Sequence, residues 1–182
     1  MKTPMLKEQH EIAIGNALLR SLVVDALFLS HGDDGKEPDL IYQISDKRIG
    51  IEVATAYYDD DQARIEWQLA RGIIKPGPSK MTNIGFWAAP ERLITARVQA
   101  EINDKCSKTY SGVDSTWLCI EQHAPAADVA ETQQRAACLV IPSNNLFERI
   151  YLGFYAHAGD GGGFRVFDLL SPRNLDRTPT IS

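Results

Sequence analysis

Residues 37–58 read EPDLIYQISDKRIGIEVATAYY, and the alternation inside them decides the architecture. Two strand-like runs, Leu40 to Ser45 and Ile49 to Thr55, are joined by Asp46, Lys47 and Arg48, a polar connection of the length a β-hairpin needs. Asp39 stands at the mouth of the first run, after Pro38, and Glu52 lies inside the second, between Ile51 and Val53. Because side chains alternate across a strand, Ile51 and Val53 face one side while Gly50, Glu52 and Ala54 face the other. A carboxylate in an otherwise apolar strand must be solvated, paired or bound to a cation, since burying it alone is prohibitive. Asp39 is placed to share that cation, and an all-oxygen pair suits Mg²⁺ or Mn²⁺ rather than zinc. The alternative makes Asp39 a turn residue and Glu52 half of a structural ion pair with Lys47 or Arg48.

Upstream, the spacing of Ile14, Leu18, Leu19, Leu22, Val23, Ala26 and Leu27 predicts one amphipathic helix over residues 5–29. Glu11 projects from the buried edge of its apolar face, near the helix start, either as a dipole-compatible surface acid or as a third carboxylate aimed at the hairpin. Residues 30–35 read as a loop containing His31. Downstream, Asp59, Asp60 and Asp61 would cap a helix running to about Arg71. Residues 72–90 carry Pro76, Gly77, Pro78, Gly85 and Pro90 and predict a long irregular loop. Pro90 opens a helix to about Cys106. Ser115 to Glu121 then reads as a buried strand, Ala126 to Ala137 as a helix and Cys138 to Ile141 as a strand. Phe147 to Tyr155 and Phe164 to Leu169 are strands around a glycine-rich tip at 159–163, and the tail from Ser171 is irregular. The expectation is a single domain over 1–182, an α/β or α+β fold with a mixed central sheet flanked by helices.

A chain of 182 residues is long enough to bury a full core without staples. No apolar run reaches the roughly 18 residues of a membrane span, and MKTPMLKEQHE lacks the apolar core of a signal peptide, which predicts a cytoplasmic protein and no membrane partner. Cys106, Cys119 and Cys138 have neither zinc spacing nor a disulfide framework, and Cys119 and Cys138 read as small core residues. Charge is unevenly spread. Residues 1–61 hold six Lys/Arg against twelve Asp/Glu, residues 62–110 eight against four, and residues 111–182 five against eight, within a net charge of −5. The basic middle segment suits a polyanion lying across a metal site, with Arg64, Arg71, Lys75 and Lys80 on the nucleic-acid backbone and Phe86 or Trp87 stacking on a base. Solvated helix faces would carry the same charges. Residues 159–163 lack the Lys-Ser/Thr ending of a phosphate loop, and no GxSxG elbow is present.

An acid at Glu11 in a leading helix, then Pro38-Asp39, then Ile51-Glu52-Val53 after a gap of twelve residues, resembles the PD-(D/E)xK nuclease superfamily. The later helix with Lys105 and Lys108, followed by Tyr110 and TWLCIE, is similar too, so the resemblance covers about residues 8–121. It implies a restriction-endonuclease-like fold and a nuclease, with Asp39 and Glu52 as ligands of Mg²⁺ or Mn²⁺, the Val53 carbonyl as a further ligand, and Glu11 as an outer or direct carboxylate. The chain departs from the family at Ala54, where a lysine is usual; that lysine would orient water and stabilise charge on the phosphate. Arg64, Gln68, Lys105 and Lys108 are the candidate substitutes. The expected activity is hydrolysis of phosphodiester bonds in DNA, less readily RNA, with a homodimer among the expected states. The alternative is a catalytically degenerate module of the same fold that binds nucleic acid or a protein partner.

Overall fold

In the computed structural model of the chain, residues 6–33, 35–57, 68 and 90–171 are described. The predicted hairpin is present. Strand β2 (Leu40–Ile44) pairs antiparallel with β3 (Lys47–Tyr57) from Leu40↔Ile51 to Ile44↔Lys47, so the turn is two residues, not three. Ser45 takes the positive φ of 55° that such a loop needs at its first central position.

The first element departs from expectation. Helix α1 (Leu6–Ser21) stops eight residues before the predicted end. Its C-terminus is closed by amides of Val23 on Arg20 O (3.1 Å) and Val24 on Leu19 O (3.0 Å), with Val23 left-handed at φ 54°. That is the bonding pattern of a helix stop that glycine usually provides. The chain then turns into strand β1 (Leu27–His31), which places His31 in a strand rather than a loop and pairs antiparallel with β2.

Helix α2 (Pro90–Cys106) carries the chain from β3 to β4 (Ser115–Ala127), and helix α3 (Val129–Ala136) carries it from β4 to β5 (Arg149–Ala156). Both connections join parallel neighbours, as crossovers must. A glycine-rich turn returns β5 antiparallel to β6 (Phe164–Asp168), so the sheet order is β1-β2-β3-β4-β5-β6, mixed in direction.

Alternation along the strands splits the core in two. Ile51, Val53, Cys119 and Tyr151 pack under Ile14, Leu18 and Leu19 of α1. Ala54, Ala56, Leu118, Ile120, Ile150 and Leu152 pack under Ile94, Val98, Ile102 and Cys106 of α2. Helices therefore cover both faces, the α/β arrangement expected. Gly15 lets α1 approach closely: a Cβ there would lie 2.5 Å from Leu40 Cδ1 and 3.0 Å from the Tyr42 hydroxyl.

Two further expectations fail. Residues 138–141 form a turn and irregular chain, not a strand, and Cys138 is exposed, not in the core, with its thiol donating to Gln134 O. β4 runs on to Ala127, and α3 starts only at Val129, where Asp128 caps it by accepting from the Glu131 amide at 2.8 Å. The helix expected over 59–71 apart from Gln68, the loop over 72–90 apart from Pro90, and most of the tail from Ser171 lie outside the described residues. No helix among the described residues is long and apolar enough to cross a membrane.

Candidate active site

β2 ends its pairing at Leu40↔Ile51, while β3 runs on to Tyr57, so among the described residues the second half of β3 has no strand partner on that edge. A cleft of about 240 Å³ lies along this edge, walled by Lys7, His10 and Glu11 of α1, by Glu101 and Lys105 of α2, and by Asp39 with Val53, Ala54, Thr55 and Tyr57.

Asp39 is fixed at the cleft mouth from two sides. Its Oδ2 accepts from the Val53 amide at 2.9 Å, and its carbonyl accepts from the Gly32 amide at 3.2 Å. Pro38 lies over Gly50, where any Cβ would overlap its ring, so the Pro-Asp pair sits directly on β3. Amide and carbonyl of one strand residue point to the same edge, so the Val53 carbonyl faces the side on which Asp39 lies. Burial pushes the Asp39 carboxyl up, and the Glu11 charge adds to that; the Val53 amide, Lys7 and Lys105 pull it back only in part. Lys7 Nζ stands 3.1 Å from Glu11 Oε1 and 3.9 Å from Asp39 Oδ1, so one ammonium spans these two acids.

Glu52 is buried on the α2 face, and its ion-pair partner is neither Lys47 nor Arg48. Lys105 Nζ lies 2.7 Å from Glu52 Oε1, from 53 residues further along the chain. Ala54, next along the same face of β3, lines the cleft together with Lys105. Burial works against the Lys105 ammonium, but the hydrogen bond to Glu52, its charge and that of Asp39 outweigh this and raise the pKa above its ordinary value. Lys105 is thus a charged partner at neutral pH, unsuited to act as a base.

Of the residues singled out from sequence, Glu11, Asp39, Val53 and Lys105 line the cleft, and Glu52 is joined to it through Lys105. Lys108 does not line it; it pairs with Asp104 at 3.0 Å on the surface. Arg64, Arg71, Lys75 and Lys80 lie outside the described residues.

Sequence reasoning missed a second polar cluster. Glu121, 2 % exposed, accepts the His10 ring Nε2 at 2.9 Å and the Thr55 hydroxyl at 3.2 Å on one oxygen, while His123 Nδ1 stands 3.5 Å from the other. Burial pushes the Glu121 carboxyl up, but hydrogen bonds and charge from His10 and His123 prevail and bring it down to about 2. The bond to Glu121 raises the His10 pKa. The signal was available: Glu121 in WLCIE is a carboxylate in an apolar strand, as Glu52 is.

Among the described residues, no group of three or more His, Cys, Asp or Glu side chains is arranged to hold a metal ion. The donors that the sequence analysis assigned to a metal, the Asp39 and Glu52 carboxylates and the Val53 carbonyl, are all hard oxygens. That set fits an ion such as Mg²⁺, which keeps several waters and takes only one or two protein carboxylates. No family model, curated protein or solved structure matches the chain.

Proposed function

We propose that this protein is a divalent-metal-dependent phosphodiesterase acting on nucleic acid, with DNA ahead of RNA. The observation that carries the reading is the delivery of Lys105 to Glu52, 2.7 Å away, in a cleft that Asp39 also lines. A strand carboxylate, a second carboxylate at the neighbouring strand end and a fixed ammonium are the charges that phosphoryl transfer requires. In this reading Asp39, Glu52 and the Val53 carbonyl hold Mg²⁺ or Mn²⁺. Such an ion lowers the pKa of water and offsets charge on phosphoryl oxygens. Lys105, protonated throughout, stabilises negative charge on the phosphate oxygens. The Val53 amide holds Asp39 in one orientation, and Lys7 spans Glu11 and Asp39 at the entrance.

One observation favours a second reading. Lys105 already balances Glu52, so the pair can persist without a metal, as a binding module lacking catalysis would require. Thermal melting with and without Mg²⁺ and Mn²⁺, on wild type and on an Asp39→Ala, Glu52→Ala double variant, separates the two. The phosphodiesterase reading expects a metal-dependent rise in wild type that the double variant loses, and metal-dependent cleavage of single-stranded or duplex DNA. A wild type whose melting ignores both metals, and which leaves DNA and RNA intact, would overturn it.

A further inference from the structure

We infer that the end of the cleft at Tyr57 is a nucleobase subsite, in which an unpaired base stacks on the Tyr57 ring while the phosphate to be cut lies at Asp39 and Lys105. The inference rests on the phosphodiesterase reading and narrows its substrate class to single-stranded nucleic acid. Alternation puts Val53, Thr55 and Tyr57 on one face of β3, and the parallel register sets Thr55 beside Glu121 and Tyr57 beside His123. Tyr57 walls the same cleft as Asp39 and Lys105, and among the described residues it belongs to neither half of the core. Its ring meets that of His123 with centroids 5.3 Å apart and planes tilted by 44°, within the range of aromatic pairs. Glu121 steadies the surroundings: one oxygen stands 3.5 Å from His123 Nδ1, and the other lies 2.9 Å from His10 Nε2. A tyrosine backed in this way offers a flat ring face that is ordered before anything binds.

Charge alone does not hold a polyanion against these walls. Lys7 and Lys105 stand there against Glu11, Asp39 and Glu101, whereas affinity for a phosphate backbone grows with the cations that meet it. Stacking supplies an attraction that the carboxylates do not oppose, and it accepts any sequence because every base has a π face. The reach fits as well. Tyr57 comes four residues after Val53, about 13 Å along the strand. A nucleic-acid strand covers that distance in about four nucleotides when fully stacked, and in fewer when extended. A base seated on Tyr57 has left its own stack, at a cost that a strand already single does not bear. The subsite therefore selects single-stranded or frayed nucleic acid over closed duplex.

Tyr57→Leu and Tyr57→Phe test this in metal-free buffer, where binding is read without cleavage. The probes are a fluorescent oligothymidylate and an abasic strand of the same length, with affinities taken from anisotropy. Wild type is expected to prefer the strand that carries bases. Tyr57→Leu should bind that strand about tenfold more weakly and the abasic strand as wild type does, while Tyr57→Phe, which keeps the ring, should match wild type on both. A Tyr57→Leu variant that binds oligothymidylate as wild type does would overturn the inference. So would an equal loss on both strands, which would make Tyr57 a structural part of the cleft wall, and so would a wild type that binds neither strand. Cleavage with Mn²⁺ is scored separately on single-stranded and duplex DNA. A wild type that prefers bases but cuts neither DNA would overturn the phosphodiesterase reading while the subsite stands as a binding site. A wild type that cuts DNA, with Tyr57→Leu binding unchanged, would overturn the subsite and leave the phosphodiesterase reading standing.

Discussion

Glu52 takes its ammonium from Lys105 of α2, while its own strand carries Ala54 two residues on. A lysine at position 54 would rise from the same strand face as Glu52; here alanine stands there, and an ammonium arrives at Glu52 from α2 instead. Removing that ammonium strands a buried charge. Lys105→Ala is therefore expected to destabilise the metal-free protein by about 3 kcal/mol, the usual cost of breaking a buried pair by removing one partner. If the proposed metal site is correct, Mn²⁺ should recover more stability in this variant than in wild type, because the ion then compensates the Glu52 charge. Denaturant midpoints with and without Mn²⁺ measure both effects, and a variant as stable as wild type would show that Glu52 is balanced elsewhere. At this scale the sequence was only partly legible. The carboxylates showed themselves as polar interruptions of apolar strands, whereas their partners did not. Lys105 lies 53 residues from Glu52 and His10 lies 111 from Glu121, separations that no local pattern encodes.

The elements were read correctly where one period dominated. β3, with carboxylate and apolar positions in alternation, and the crossover helix α2 emerged as expected. α1 did not, because the residues Leu22-Val23-Val24 continue an apolar pattern that serves a helix end and a following strand equally well. What ends the helix is a backbone conformation. Val23 adopts φ 54° and closes the helix with the bonds that glycine normally permits, while its side chain is 91 % exposed and packs on little. A β-branched residue in the left-handed region bears a steric cost of roughly 1–2 kcal/mol that glycine avoids. Val23→Gly is accordingly expected to stabilise the protein by about 1 kcal/mol after its added unfolded-state entropy, a rise in melting temperature of roughly 2–4 °C for a chain of this size. Differential scanning calorimetry reads this directly. A fall on Val23→Gly would mean that the exposed side chain has a contact of its own to lose.

At the scale of the whole molecule, Glu121 fastens the N-terminal helix to the centre of the sheet. It belongs to β4, takes His10 from α1 and Thr55 from β3, and stands next to the cleft, so its ionisation links overall stability to the shape of the site. The two partners respond to pH in opposite directions. The Glu121 carboxyl, pushed up by burial but drawn down further by the imidazoles to about 2, contributes stability that is complete above its ordinary value of 4.5 and is lost as pH falls from there toward 2. The His10 pKa is raised above 6.5 by its bond to Glu121, so its contribution is complete below 6.5 and is lost as pH rises through the higher folded value. Their joint contribution is therefore greatest between pH 4.5 and 6.5. Asp39 works against this at the acid end, since burial favours its protonated form, and it softens the loss without reversing it. Urea midpoints of metal-free protein from pH 3 to 8 should thus peak between the two limits. Glu121→Gln should lower the peak by about 3 kcal/mol and flatten the curve on its alkaline side, because His10 then has no charge to hold. An alkaline limb that keeps its slope in Glu121→Gln would detach His10 from this window and assign the pH dependence to other groups.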